Sequence, residues 1–257
     1  MNGAFEIGAV SLKTQQRALE TIANNIANIN TPAFKRAEVQ FAEIVTSNTD
    51  AVTENERVAR EAATLNGGVR MATRAMMSEL GELRTTGSAM DIAIEGQGFI
   101  ELMGPNGENV LWRGGRLDVD RDGYLAAAGG TALRSLIAIP DDVTELTIDR
   151  DGVIRGAGND GDQVELGQIM LVRPESETEL EPLGGGLYRL ADGARAIDAV
   201  PGEDGVGAIR QGMLEGSNVE MTAAMVEMLV LQRAYAASAQ VIQAADQVSS
   251  ITNNLKR

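Results

Sequence analysis

The residues with the most recognisable chemical spacing are three aspartates in a short run. Asp118, Asp120 and Asp122 alternate with other residues and precede Gly123, which matches the start of a calcium-binding loop. Such a loop also needs a bidentate Glu at its twelfth position, and that position here is Gly129. The pattern therefore favours a hairpin that ends in a tight turn. A calcium-dependent β-domain binding module stays as an alternative.

Few other catalytic or metal-binding groups are available. The 257 residues contain no His and no Cys, which excludes a His base, a His or Cys metal ligand and a thiolate nucleophile. Carboxylates, Ser, Thr, Lys and Tyr remain, but their spacing indicates no acid–base pair. We therefore predict a protein that is not an enzyme, with no catalytic residue, cofactor or metal. A carboxylate-based hydrolase acting on the cell wall is an alternative for which no residue can be named.

An apolar seam runs along the N-terminal segment. Its positions lie alternately three and four residues apart, and six of the eight are apolar, which is typical of a coiled-coil helix. The seam consists of Phe5, Gly8, Leu12, Gln15, Leu19, Ile22, Ile26 and Ile29. Pro32 has no amide N–H and disfavours helical geometry at Thr31, so we predict that it stops the helix.

The C-terminal segment has two apolar stripes. It opens with the capping-box pattern of Ser217 and Glu220, and residues 217–257 contain no Pro or Gly. The first stripe is Met221, Met225, Met228, Leu231, Tyr235, Ile242 and Ala245, and the second is Val226, Val230, Val241, Val248, Ile251 and Leu255. Two stripes indicate burial on more than one side. We expect both ends to be mobile in the monomer and ordered in an assembly, with a stable intramolecular coiled coil as the alternative.

Between the ends, short apolar runs alternate with turn signals, which indicates β-structure. Asp-Gly pairs at 122–123, 151–152 and 192–193 are typical of hairpin turns, and the glycines at 184–186 favour a loose turn over a phosphate cradle. Candidate strands are 91–94, 99–103, 116–119, 146–148 and 168–172. We predict an α+β fold in which the N- and C-terminal helices pair as a coiled coil around a central, mainly-β domain of short strands and hairpins.

The net charge of −15 is uneven along the chain. Residues 1–36 carry +2, residues 217–257 carry 0 and the middle carries −17. Near-neutral ends can pack closely, whereas an acidic middle suits a solvated surface and argues against nucleic acid as a partner. The sequence has no 18-residue apolar run and no basic, apolar leader, so we expect neither membrane insertion nor a cleaved signal peptide.

Three motifs carry a family resemblance. Residues 22–36 read IANNIANINTPAFKR, residues 91–100 read DIAIEGQGFI, and residues 215–219 read EGSNV, followed by QRAY at 232–235. Together they resemble the signatures of the bacterial flagellar basal-body rod and hook axial proteins, whose N-termini read close to ANNLAN-x-x-T-x-GFK. Ala33 stands where that family usually has Gly. The N-terminal segment that ends at Phe34-Lys35-Arg36 and the long stretch before Asp91 are more similar to the distal-rod branch of the family. The proximal-rod branch stays an alternative.

The resemblance implies a structural subunit that polymerises helically around a channel and transmits torque from motor to hook. Its domains would be the N-terminal helix of an inner coiled-coil domain (1–36), a connector with a short helix or hairpin (37–66), a β-rich outer domain (67–216) and the C-terminal helix (217–257). Its partners would be copies of itself, other rod and hook proteins, the export apparatus and surrounding rings, in the periplasm-spanning rod. The predicted subunit-packing residues are Leu12, Leu19, Ile22, Asn24, Asn25, Ile26, Asn28, Ile29, Met221, Met225, Met228, Leu231, Tyr235 and Ile242.

Overall fold

The computed structural model describes residues 2–43, 69–104, 108–127, 129–158, 162–175, 180–191 and 194–254. They have an α+β fold with two long helices and a mainly-β central region, as the sequence predicts. Residues 44–66 of the predicted connector, the Asp192-Gly193 turn and Leu255 lie outside the described residues.

Two units divide the chain. The helical unit contains helix α1 (Asn2–Ala27), helix α2 (Met221–Asn254) and a two-stranded sheet of β1 (Ala37–Glu43) and β2 (Val69–Ala75). Residues 28–36 belong to the β-rich unit, although the predicted first domain ran to residue 36. The described part of the predicted connector, residues 37–43, belongs with the helices because β1 pairs with β2 and contacts α1.

Helix α1 ends at Ala27, earlier than the predicted stop at Pro32. The chain turns back beyond Ala27, and the Asn25 side chain holds the returning strand. Asn25 Nδ2 donates to the Ala37 carbonyl at 2.8 Å, and the Ala37 N–H donates to Asn25 Oδ1 at 2.9 Å. This pair of bonds satisfies the backbone of Ala37 as a neighbouring strand would.

Helix α2 begins at Met221, where the Ala224 N–H donates to the Glu220 carbonyl at 3.0 Å. The predicted capping box is wrong, because Ser217 lies in the turn before the helix. Its Oγ accepts from the Val219 N–H at 3.3 Å, a local bond that competes with helical geometry.

The β-rich unit is built from short strands. In chain order they are β3 (Leu83–Thr85), β4 (Asp91–Glu95), β5 (Phe99–Met103), β6 (Asn109–Trp112), β7 (Gly114–Val119), β8 (Leu125–Ala127), β9 (Thr131–Ala132), β10 (Val143–Ile148), β11 (Val153–Gly158), β12 (Gln163–Gln168), β13 (Leu171–Pro174), β14 (Leu180–Gly184), β15 (Leu187–Leu190), β16 (Ala196–Ala199), β17 (Ala208–Gln211) and β18 (Met213–Glu215).

These strands form four sheets among the described residues. The orders are β14-β15-β6-β5-β13-β16, β17-β4-β7-β8-β9, β10-β11-β12 and β18-β3. Gly114, at φ +117°, lets β7 approach β4, because a Cβ there would lie 2.7 Å from the Ile92 carbonyl oxygen. Four of the five predicted strand sites lie in β4, β5, β7 and β10. The fifth, 168–172, is not one strand, because β12 ends at Gln168, β13 begins at Leu171 and residues 169–170 lie in neither.

Alternate residues of the strands fill two apolar clusters. Along β5, Ile100 and Leu102 join a large cluster with Ile92, whereas Phe99 joins a smaller one with Tyr188. The period of two along a strand directs neighbouring side chains to opposite faces. Strand β5 is therefore covered on both faces.

Candidate functional site

Residues 31–36, which follow α1 in the sequence, meet residues 215–218, which precede α2. The Ala33 N–H donates to the Glu215 carbonyl at 2.8 Å, and the Asn218 N–H donates to the Phe34 carbonyl at 3.3 Å. The Arg36 N–H donates to Asn218 Oδ1 at 2.6 Å. We call residues 31–36, residues 215–218 and Arg113 the clasp. It joins segments from near both ends of the chain within the β-rich unit.

Three charged side chains lie buried at the centre of the clasp. The side chains of Lys35, Glu215 and Arg113 are 0%, 1% and 1% exposed. Lys35 Nζ donates to Glu215 Oε1 at 2.5 Å, while Arg113 Nη2 and Nε donate to Glu215 Oε2 at 3.0 and 3.2 Å. One carboxylate therefore binds two cations. Each of the three buried charges has an oppositely charged partner, as burial in an interior of low dielectric constant requires.

Backbone groups complete the coordination of these ions. Arg113 Nη1 donates to the Gly98 carbonyl at 2.6 Å and Nη2 to the Gly96 carbonyl at 2.7 Å. Glu215 Oε1 also accepts from the Gly81 N–H at 2.9 Å. Arg113 lies 5.6 Å from the centroid of the Phe99 ring, a cation–π distance. The guanidinium thus ties the motif at 91–100 to the motif at 215–219.

A half-exposed ion pair joins Arg36 of the clasp to Glu79. Arg36 Nε and Nη2 donate to the Glu79 carboxylate at 3.0 and 3.1 Å, and these hydrogen bonds hold the pKa of Glu79 below its ordinary value. Asn218 Nδ2 donates to the backbone carbonyls of Met76 and Glu79 at 3.1 and 3.0 Å. The Asn218 amide therefore uses both its oxygen and its nitrogen inside the chain.

Ala33 has a left-handed backbone conformation. Its φ is +56° and it is buried, and this region costs an L-residue roughly 1–2 kcal/mol. The proteins that this sequence resembles usually have Gly at this position. Gly adopts a positive φ without steric cost. The turn at residue 33 needs a positive φ so that its N–H can reach the Glu215 carbonyl.

In the helical unit, α1 and α2 lie side by side and antiparallel. A Cβ on Gly8 would lie 2.8 Å from Ile242 Cγ1, and Gln15 Nε2 donates to Ser238 Oγ at 3.1 Å. Along α1, Ala18, Ile22 and Asn25 are buried. Of the predicted seam, Ile22 is buried and Gly8, Leu12, Gln15, Leu19 and Ile26 are half-buried, whereas buried Ala18 and Asn25 lie beside the seam.

Helix α2 covers only part of its first predicted stripe and none of the described part of its second. Met228, Leu231, Ile242 and Ala245 of the first stripe are half-buried. Met221, Met225 and Tyr235 of that stripe are exposed, as are all described members of the second. The exposed fractions of Val226, Val230, Val241 and Ile251 are 56%, 60%, 69% and 60%. A long apolar surface of α2 therefore faces solvent in the single chain.

The predicted asparagines have different surroundings. Asn25 is buried against Ala37, Asn28 Oδ1 accepts from Thr31 Oγ1 at 3.1 Å, and Asn24 is exposed. Ile29 is half-buried in the turn after α1. Two of the asparagine amides thus shape the end of α1, and their roles in packing between subunits stay predictions.

The aspartate run forms the predicted hairpin turn between β7 and β8. Asp120 Oδ1 accepts from the Asp122 N–H at 2.9 Å and the Tyr124 N–H at 2.8 Å, and Gly123 has a φ of +82°. Asp120, the third position of the calcium-loop pattern, therefore uses its carboxylate in an Asx turn. Within the described ranges, no group of three or more acidic side chains is arranged to hold a metal ion.

Comparison with known proteins places these features in a family. Three family models match: "Flagella basal body rod protein" at residues 5–35, "Flagellar hook protein FlgE/F/G D1 domain" at 93–156 and "Flagellar basal body rod FlgEFG protein C-terminal" at 210–255. The flagellar basal-body rod protein FlgG of Agrobacterium fabrum is 35% identical over 98% of this chain and 99% of its own length. The chain belongs to the flagellar basal-body rod protein family.

Other relatives distinguish the branches of the rod family. FlgG of Borreliella burgdorferi is 32% identical over the full length of both chains. FlgF of Caulobacter vibrioides is 29% identical over 94% of this chain and 93% of its own. The predicted resemblance to the distal-rod branch, that of FlgG, with FlgF second, is confirmed. Neither described helix is long and apolar enough to span a bilayer.

The rod-family motifs are recognisable in the sequence, but the contacts between them are not. Lys35 and Glu215 lie within these motifs, whereas Arg113 lies in none of them. A signal was present, because Arg113 directly follows the apolar run Val110, Leu111 and Trp112. A cation at the end of a buried strand needs a buried partner, although the sequence does not say which carboxylate supplies it.

Proposed function

We propose that this protein is a subunit of the flagellar basal-body rod that polymerises helically into a hollow shaft and transmits torque from motor to hook. The exposed apolar surface of α2 is the observation that carries the proposal. A surface of this length is unusual on a protein that works alone and marks an interaction site. The higher identity to FlgG relatives favours a distal over a proximal position in the rod.

The exposed residues have the spacing of a second helix-packing seam. Positions 230, 234, 237, 241, 244, 248 and 251 lie alternately four and three residues apart, and each holds Val, Ala or Ile. All are exposed except Ala234, which is half-buried. This is the spacing of a coiled-coil face. We propose that α1 and α2 pair as a coiled coil within one subunit, and that this second seam packs against helices of neighbouring copies.

The partners follow from the same surface. Other copies of the chain and other rod and hook proteins would bury the α2 seam, while the acidic β-rich unit would remain solvated. We further propose delivery by the flagellar export apparatus without a cleaved signal peptide, a site in the periplasm-spanning rod, and contact with surrounding ring proteins. The support for these points is membership of the rod family.

A charge on the exposed seam tests the assembly. Val241→Asp should abolish polymer formation, because each contact between copies would bury an unpaired carboxylate. It should leave the single chain folded, since Val241 is 69% exposed. Assembly is measured by sedimentation and electron microscopy of the purified full-length protein, and function by restored swimming of a strain that lacks its own rod subunit.

Gln243→Asp is the matched control. It adds the same charge two residues further on, about 200° around the helix at ~3.6 residues per turn, and Gln243 is also exposed. This variant should assemble and swim. Normal polymers from Val241→Asp would refute the seam, as would equal loss of assembly in both variants.

A further inference from the structure

The chain passes from the β-rich unit to the helical unit between Arg36 and Ala37. Every backbone hydrogen-bonding group of these two residues is engaged. The Arg36 N–H donates to Asn218 Oδ1 at 2.6 Å, and the Arg36 carbonyl accepts from the Met76 N–H at 2.9 Å. The Ala37 N–H donates to Asn25 Oδ1 at 2.9 Å, and Asn25 Nδ2 donates to the Ala37 carbonyl at 2.8 Å. The Arg36 bonds lie within the β-rich unit and the Ala37 bonds within the helical unit.

We infer that Asn25 and Asn218 form an asparagine lock, which stops the backbone from turning at residues 36–37, so that this passage carries torque instead of acting as a hinge. That torque reaches this passage rests on the proposed function. Each residue has only two soft backbone dihedrals, and a hinge consists of a few residues whose φ and ψ are free to change. A change of φ or ψ at residue 36 or 37 would break a hydrogen bond to one of the asparagines or to Met76.

Asn218 anchors its side of the lock in a closed ring of hydrogen bonds. Its Oδ1 accepts from the Arg36 N–H, its Nδ2 donates to the Met76 carbonyl at 3.1 Å, and the Met76 N–H donates to the Arg36 carbonyl. Two further passages of the chain adjoin this ring, since the chain enters the β-rich unit at residue 75 and leaves it after residue 219. The ring therefore ties three passages together, and Asn218 closes it.

Asn25 anchors the other side of the lock, because it is buried in α1 with an exposed fraction of 7%. An amide suits both positions, since it offers a donor and an acceptor at once. The two asparagines belong to the sequence motifs at 22–36 and 215–219, so the lock joins motifs that lie far apart in the chain. It gives Asn25 a role inside the subunit, beside the packing between subunits that the sequence predicts.

Amide hydrogen exchange of the dilute full-length protein tests the lock. Asn25→Leu and Asn218→Leu keep the approximate size of the side chain and remove its hydrogen-bonding groups. If the two asparagines act as one, each variant should raise exchange of both the Arg36 and the Ala37 amide by about 10-fold or more, because a freed residue lets its neighbour turn. Asn30→Leu, at an exposed position of the same motif as Asn25, is the control and should change neither amide.

Two separate sets of hydrogen bonds predict a different pattern, which would overturn the lock. In that case Asn25→Leu would raise exchange only at Ala37, and Asn218→Leu only at Arg36. Slow exchange in β4 and β5 shows that the β-rich unit is still folded. If one variant unfolds its own unit, the other variant decides, because each tests the amide that the opposite asparagine holds.

Swimming against a viscous load tests whether the lock carries torque. A strain that lacks its own rod subunit receives the unaltered protein or a variant, and its speed is compared in buffer and in medium thickened with methylcellulose. Asn25→Leu and Asn218→Leu should polymerise in sedimentation, since the α2 seam is unchanged. They should lose swimming at a viscosity at which the unaltered protein and Asn30→Leu still swim.

The outcomes separate the lock from the proposed function. Equal speeds of all variants at every viscosity would overturn the inference and leave the proposed function intact. Loss of polymer in Asn25→Leu and Asn218→Leu would also overturn it, because the asparagines would then be needed for assembly and not for bearing load. If the unaltered protein itself neither polymerises nor restores swimming, the proposed function fails.

Discussion

Tyr188 makes the β-rich unit sensitive to alkaline pH. Burial raises its pKa to about 12, from an ordinary value of 10.0, against opposing effects of a hydrogen bond with the Lys35 backbone and of the Arg113 charge. Its ring packs edge-on against Phe99, with centroids 5.7 Å apart. The phenol must therefore stay neutral in the folded state, although it ionises more readily in the unfolded chain.

The sign of the effect follows from this raised pKa. The unfolded chain loses the Tyr188 proton above pH 10, while the folded protein keeps it up to about pH 12. The contribution of Tyr188 is complete below pH 10 and is lost as the pH rises to about 12. The free energy of unfolding should fall by about 1.4 kcal/mol per pH unit in this window.

Urea unfolding at a series of pH values measures that slope. Tyr188→Phe is the control, since other groups titrate in the same range and only the difference between the two proteins reports Tyr188. The difference in unfolding free energy should shrink between pH 10 and 12. A constant difference, with tyrosinate absorbance appearing near pH 10 for every tyrosine, would contradict a raised pKa of Tyr188.

At the scale of single residues, the motifs could be predicted from the sequence but the contacts between them could not. The motifs around Lys35 and Glu215 were recognisable, and the family followed from them, because short signatures are local. The ion pair between these residues was not predictable, since no periodicity connects positions 180 residues apart. Ala33 was recognised as a departure from Gly, but the positive φ that explains it depends on the clasp.

At the scale of elements, local signals predicted better than boundaries. The Asp-Gly turns at 122–123 and 151–152 join neighbouring antiparallel strands as expected, because turn geometry is set by adjacent residues. The end of α1 at Ala27 and the start of α2 at Met221 differ from the positions that the sequence predicts. They depend on Asn25 bonding to Ala37 and on Ser217 forming a local turn, which are contacts outside the helical pattern. The seam of α1 coincides only in part with the covered face, because Ala18 and Asn25 are buried although they lie beside the seam.

The pairing of α1 with α2 predicts coupling between Gly8 and Ile242. Ala is favoured over Gly in a helix interior by roughly 0.5–1 kcal/mol. A Cβ at position 8 would, however, lie 2.8 and 2.9 Å from the Ile242 side chain. Gly8→Ala should therefore give no gain in the original protein and a gain of roughly 0.5–1 kcal/mol in an Ile242→Ala background.

Unfolding of the dilute monomer, followed by helical circular dichroism, measures this cycle. Coupling between the two positions would show that the helices pair within one chain. Equal stabilisation by Gly8→Ala in both backgrounds would instead mean that the ends are unpaired until assembly, as the sequence predicts. Each result decides between the mobile ends and the intramolecular coiled coil.

Across the whole molecule, charge and apolar surface occupy different parts of the chain. Residues 37–216 carry −17, whereas the two end segments sum to +2 and 0. The exposed seam of α2 therefore lies on a nearly neutral part, and its burial between copies is driven by removal of apolar surface from water. The acidic middle opposes assembly, because each added copy brings a net charge of −15 next to others of the same sign.

Salt should therefore promote assembly. The screening length falls from about 30 Å at 0.01 M to about 8 Å at 0.15 M ionic strength, which weakens repulsion between acidic middles and leaves apolar burial unscreened. The protein concentration needed for half-assembly, measured by sedimentation, should fall as NaCl is raised over this range. Val241→Asp should stay unassembled at both salt concentrations, which links the measured polymer to the α2 seam. A polymer that dissolves as salt rises would instead be held by ion pairs between copies, and the neutral apolar seam would not be its main contact.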